Sequence, residues 1–220
     1  MDRRSVLLFA LACAAGTAAA QSPDHDAALI RAASAGDPAA VKRLLAQGAS
    51  VKARDAEGRT ALVAATYGNR VEVARLLIDA GADVNAQDDL HNSAFLLAGA
   101  GGHLEILKLT LAAGADLKST NRYGGTALIP ACHYGHVGTV RELLQTRIDV
   151  DHVNNLGWTA LLEAVILGDG GAAHTEIVRL LVAARANPNI ADREGVTPLG
   201  HAQRRGYRDI AAILVRAGGR

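Results

Sequence analysis

Aromatic side chains are scarce in this chain: 3% of 220 residues, with two phenylalanines and one tryptophan, Trp158. Yet half of the residues are apolar, so the core is built mainly from Ala, Leu, Val and Ile. Small apolar residues on that scale suit closely packed short helices better than a sandwich or barrel. Charge of one sign is lacking too. The formal net charge is +1, which excludes the basic field expected of a nucleic-acid binder. Cysteine is nearly absent, with only Cys13 and Cys132. Long apolar runs are confined to the N-terminus, and none there reaches the ~20 residues that span a bilayer.

The segment MDRRSVLLFALACAAGTAAAQS has a basic start (Arg3, Arg4), an apolar run from Val6, and small residues ending in Ala18, Ala19 and Ala20. These are the three parts of a secretory signal peptide, and they predict cleavage of residues 1–20 before Gln21. The rival is a lipoprotein anchored at Cys13, disfavoured because Ala10 stands where lipoprotein signals carry leucine. Cleavage removes Asp2, Arg3 and Arg4 and leaves as many acidic as basic side chains. The mature chain retains Cys132 alone, so it forms no internal disulfide and must gain its stability from packing. The expected location is the periplasm, or outside the cell, without membrane insertion after cleavage.

What the chain has in abundance is self-similarity. Thr60, Ser93, Thr126 and Thr159 follow one another at intervals of 33 residues. Five positions before each stands Asp55, Asp88, Asn121 or Asn154, and the pair Asp192 and Thr197 repeats the pattern 38 residues later. Two positions before the hydroxyl come Gly58, Gly124, Gly157 and Gly195, with His91 as the exception. An Asx side chain with a nearby glycine makes a tight turn, and the Ser or Thr then caps a short helix. That helix turns Leu62, Phe95, Leu128, Leu161 and Leu199 inward. It is expected to stop at Asn69, Gly102, Gly135, Gly168 and Gly206, residue types that adopt the left-handed conformation at helix ends. A second helix with paired leucines follows, as at Leu76 and Leu77 or Leu180 and Leu181.

The unit DAEGRTALVAATYGNRVEVARLLIDAGADVNAQD, residues 55–88, resembles an ankyrin repeat, and the resemblance covers residues 25–219. It implies an all-α solenoid over 21–220, made of six helix–turn–helix units joined by short β-turn connections. The units span 25–53, 54–86, 87–119, 120–152, 153–190 and 191–220. The family's Thr-Pro-Leu-His start survives only as TPLG at 197–200, and its histidine is missing from every copy. The hydrogen bonds that this histidine makes between repeats are therefore not expected. The first unit lacks the turn, and the last carries Arg204, Arg205, Arg208 and Arg216 around its helices, as polar capping units should. Five extra residues at 169–173, rich in glycine, enlarge the fifth unit and predict a flexible loop able to reach toward a ligand.

No motif carries catalysis. Phosphate loops, dinucleotide fingerprints and nucleophile elbows are missing. GDGG at 168–171 follows no strand. Cys132, His133 and His136 invite a metal, but Gly135 ends the helix between the histidines and removes an i, i+4 ligand pair. His103, His136 and His174 begin second helices, where the family commonly has histidine. The arginines of residues 185–220 read as a solvated cap. No catalytic residue, metal ligand set or cofactor is assigned, and the protein is not expected to be an enzyme.

Function then falls to the surface formed by turn tips and first helices, which repeat proteins use to bind other proteins. Candidate contact residues are Tyr67 and Leu90 in the second and third units, and Tyr123, His133 and Tyr134 in the fourth. The fifth adds Leu156, Trp158, Ile166 and Leu167, and the sixth Arg204 and Arg205. Tyr, Trp and Arg dominate binding hot spots, which favours Trp158 as a contact residue over a packing role between turns. The sequence thus describes an exported, monomeric module that binds another protein and no nucleic acid. Alternatives are an immunity protein or inhibitor of a periplasmic toxin or enzyme, and a redox- or metal-linked stress protein.

Overall fold

A computed structural model describes residues 23–220; the leader assigned to residues 1–20, with Cys13, lies outside the described residues. Among the described residues there are twelve α-helices in six pairs and no strand. The pairs are α1 (Pro23–Ala35) with α2 (Pro38–Ala46), α3 (Ala61–Tyr67) with α4 (Val71–Asp79), and α5 (Ala94–Gly101) with α6 (Leu104–Ala112). They continue as α7 (Leu128–His133) with α8 (Val137–Leu143), α9 (Ala160–Ile166) with α10 (Ala172–Ala183), and α11 (Pro198–Arg204) with α12 (Arg208–Arg216). None is long and apolar enough to cross a membrane.

First helices pack on first helices in chain order, and second helices on second helices, giving two layers with each unit touching its neighbours. Phe95, Leu128 and Leu161 are buried between them, and Ala65, Ala98, Ala131, Ala164 and Ala202 stand at the close approaches with no exposure. Alanine at these points lets short helices approach closely, which is why so few large side chains suffice. Cys132 is fully buried in the same row.

Each turn is held by its Asx side chain. Asn154 Oδ1 accepts the amides of Leu156 at 2.9 Å and Trp158 at 3.0 Å. Asp55, Asp88, Asn121 and Asp192 make the same two bonds. His91 takes the turn position that glycine holds elsewhere, with φ 60°, so the geometry persists at some backbone strain.

The expected cap fails in the fourth unit. Thr60, Ser93, Thr159 and Thr197 accept the amide three residues on, but the Thr126 hydroxyl is buried without a partner. Pro130 is the cause. Elsewhere the cap carbonyl accepts the amide four residues on, as Thr159 does from Glu163. Proline has no N–H, so the Thr126 carbonyl takes the Ile129 amide instead, at 3.2 Å. The chain enters this helix through a tighter turn, and α7 begins at Leu128.

The fifth unit departs twice more. Gly168 does not adopt the left-handed conformation that Asn69, Gly102, Gly135 and Gly206 adopt; Gly170 does, at φ 72°. The inserted residues are no free loop either. Asp169 accepts the Gly171 amide and lies 2.8 Å from His174 Nδ1. The remaining residues extend α10 to 12 residues, and Tyr207 of the last unit donates its hydroxyl to the Gly168 carbonyl at 2.9 Å. The insertion is spent on helix and inter-unit contact, which leaves little to reach for a ligand.

The missing histidine of the repeat start is replaced by another row. His136 Nε2 lies 3.1 Å from the Ala100 carbonyl, and His174 Nε2 lies 2.9 Å from that of His133. Arg70 and Tyr207 bond back to Ser34 and Gly168 from the same position. Each ties the start of a second helix to the end of the preceding unit's first helix, where carbonyls lack intrahelical partners.

Candidate functional site

Turn tips of the third to fifth units and the ends of α3, α7 and α9 enclose a groove of about 520 Å³. Seven of the candidate residues line it: Tyr67, Leu90, Tyr123, His133, Tyr134, Leu156 and Leu167. The other four do not. Trp158 and Ile166 are half-buried outside it, and Arg204 and Arg205 are exposed on the last unit. Trp158 occupies the turn position of Arg59 and Asn92, whose side chains fold back on the Asx of their own turn. The Trp158 indole N–H has no acceptor among the described residues.

The rim is aromatic and apolar. Tyr134 stacks on His133, with ring centroids 4.2 Å apart. The Arg122 guanidinium lies 4.8 Å over the Tyr123 ring and donates to its hydroxyl at 2.9 Å. Tyr67 donates to Asp88 at 3.0 Å; burial and that carboxylate push its phenol up.

The floor holds a residue that the repeat pattern did not single out. Glu163, on α9, is only 6% exposed and lines the groove. Asn154 Nδ2 donates to its Oε1 at 3.0 Å. Its Oε2 faces His133 Nδ1 at 3.7 Å, beyond hydrogen-bond reach. Burial raises the Glu163 carboxyl to about 7 against the lowering effect of the Asn154 bond. Burial, with the nearby His174, holds His133 below the ordinary histidine value, so no full positive charge compensates the acid near neutrality. The signal was present in the sequence. Four residues after the cap come Ala64, Leu97 and Pro130, and then the row breaks to Glu163 and His201.

A larger depression of about 630 Å³ lies between the first two units. Among its charged lining residues Arg59 binds Asp55 at 2.8 Å and Glu57 at 3.1 Å, and Arg54 donates to the carbonyls of Gly58 and Gln87. Nothing in it presents exposed aromatic surface. Among the described residues no three His, Cys, Asp or Glu side chains gather as metal ligands would. Burial drives the Cys132 thiol well above its usual value, the opposite of what thiolate chemistry needs.

Comparison with known proteins agrees with this architecture. The family profile of ankyrin repeats in three copies matches residues 4–88 and 94–189. An ankyrin repeat protein of Escherichia coli (strain K12), YahD, is 43% identical over 54 residues; the match spans 24% of this chain and only 27% of that relative. The ankyrin repeat domain of a protein from Acinetobacter baumannii AYE superposes with a TM-score of 0.85 at 56% identity, covering 87% of this chain and 98% of that one. The ankyrin repeat protein EF0377 superposes with a TM-score of 0.84 at 42% identity, with the same coverage. Ankyrin repeats are protein–protein interaction modules, and with its six stacked helix pairs and its family profile the chain belongs to the ankyrin-repeat family.

Proposed function

We propose that the chain is exported and, as a monomer in the periplasm or outside the cell, binds another protein through the groove of its third to fifth units. One observation carries the binding site. Among the described residues eight large apolar side chains are strongly exposed, and six of them line this one groove; only Val153 and Val215 lie elsewhere. Exposed apolar and aromatic surface concentrated in this way marks interaction sites on otherwise soluble proteins. Export rests on the basic, apolar and small-residue order of residues 1–20.

A photo-reactive amino acid placed at Leu156 in living cells should crosslink to one partner, whereas the same group at Val215 should not. Equal crosslinking at both positions would overturn the groove as the site. N-terminal sequencing of the purified protein should begin at Gln21. An intact Met1, or lipid on Cys13, would overturn cleavage after Ala20. The buried, protonated Cys132 gives no support to a redox role.

A further inference from the structure

The groove is apolar and aromatic at its rim and carries a single acid at its floor. Glu163 is the only carboxylate among its lining residues. Its side chain is 8% exposed. One oxygen is bonded by Asn154; the other, Oε2, accepts no hydrogen bond among the described residues. Arg122, the other charged lining residue, is turned away onto the Tyr123 ring and hydroxyl. That oxygen still reaches solvent through the open groove, so an occupant that covers it costs free energy unless it supplies a donor in place of water. We infer that the groove receives a lysine or arginine side chain of the partner protein, with its cationic end on Glu163 Oε2 and its methylene stem among Tyr123, Tyr134 and Leu156.

Lysine and arginine are the two side chains with a cation at the end of a long apolar stem, which matches a greasy rim above a deep acid. The rings at the rim suit the same occupant, because a cation passing over an aromatic face is attracted by it. An aliphatic side chain would fill the space but seal the carboxylate away from water unpaired. One carboxylate and one amide offer far fewer oxygens than a calcium ion takes.

This assignment rests on the groove being the protein-binding site, and the test separates the two. A random dodecapeptide library displayed on phage is panned on the whole mature chain at pH 8, above the Glu163 value of about 7. The dominant peptide is then titrated against the native chain, Glu163→Gln and Tyr134→Ala. Enriched peptides should share one basic residue. Replacing it with norleucine should weaken binding on the order of tenfold or more. Glu163→Gln should do the same, with no further loss when both changes are combined. Peptides weakened by Tyr134→Ala but lacking a basic residue, or indifferent to Glu163→Gln, would overturn the cation assignment and leave the groove standing. Failure to enrich any peptide, or binding untouched by either substitution, would overturn the groove itself and the assignment with it.

Discussion

The fifth and sixth units place opposite chemistry at the same two positions, nine residues apart. In the fifth, the turn residue is neutral Asn154 and the helix residue is an acid, Glu163, bonded at 3.0 Å. In the sixth, the turn residue is an acid, Asp192, and the helix residue is His201, whose Nε2 lies 2.5 Å from Asp192 Oδ2. Both link a turn to the helix it starts. Their electrostatic consequences diverge. Burial tends to raise Asp192, but the Val196 amide and His201 outweigh it and hold the carboxyl below its ordinary value. Glu163 has only an amide donor, and burial wins. The other acids in this turn row also have partners beyond backbone: Asp55 pairs with Arg59, and Asp88 accepts from Tyr67. Glu163 is an acid without a full counter-charge, and it sits at the floor of the groove. One scaffold position thus serves stability in the end unit and, on the proposed reading, ligand capture in an interior one.

Charging the inward leucine of each unit should separate the two most strongly. Leu161 is 1% exposed on α9, which packs against α7 and α11; Leu199 is 7% exposed on α11, which has a first-helix neighbour on one side only. An unpaired buried carboxylate is very costly. Leu161→Asp should cost more than about 4 kcal/mol and abolish the cooperative helical transition seen by circular dichroism. Leu199→Asp should unravel the last unit and leave the others melting together, since repeats depend on nearest neighbours. A native melting curve for Leu161→Asp would refute the register.

Next in size is the effect of neutralising Glu163. Its carboxyl moves from 4.5 to about 7 on folding, so the folded state favours the protonated form. The stability this group contributes is therefore fully present below pH 4.5 and is lost as pH rises through about 7. A tenfold change in proton affinity corresponds to ~1.4 kcal/mol, so Glu163→Gln should gain about 1–3 kcal/mol at pH 8, judged by urea denaturation. Near pH 4 the two proteins should coincide. A loss of stability at pH 8 would mean that the acid already has a counter-charge within the chain.

Much of this architecture was legible because it is local and periodic. The 33-residue spacing, the Asx turns and the hydroxyl caps each depend on a few neighbouring residues. What escaped the sequence depends on particular contacts that the repeat pattern does not specify. Pro130 displaces the Thr126 cap by withholding an amide four residues away. The ring of Tyr207 from the next unit lies against Gly170 of the 169–173 insertion, and its hydroxyl bonds the Gly168 carbonyl just before it. Glu163 matters because Asn154 and His133, from a turn and from the preceding helix, meet around it. Seven groove residues followed from their repeat positions alone, whereas the acid beneath them required folded proximity.

A smaller effect should follow from making the sixth unit resemble the fifth. Asp192→Asn keeps the oxygen that accepts the Glu194 and Val196 amides but removes the charge facing His201. The loss should be about 1 kcal/mol at neutral pH, the scale of one hydrogen bond. Because the folded state lowers the Asp192 carboxyl, its contribution is present above the ordinary carboxylate value and fades as pH falls through the folded one. The difference between Asp192→Asn and the native chain should accordingly close in acid. A pH-independent difference would assign the effect to packing rather than charge.

The smallest effect on binding is expected from the chain's single tryptophan. Trp158 follows Gly157 in the fifth-unit turn, and its amide and carbonyl are both held by Asn154. The ring is half-buried and outside the groove, whereas Tyr134 is 59% exposed within it. Hot-spot residues sit centrally in a contact patch and lose about 2 kcal/mol or more on truncation. Tyr134→Ala should fall in that class for a peptide or protein bound in the groove. Trp158→Ala should change the affinity by less than about 1 kcal/mol and act instead on the melting temperature, through lost packing around the turn. The two substitutions, lacking a shared partner, should then add without coupling in a double-mutant cycle. Strong coupling between them, or a binding loss at Trp158 equal to that at Tyr134, would extend the contact surface across the turn tip and away from the Glu163 floor.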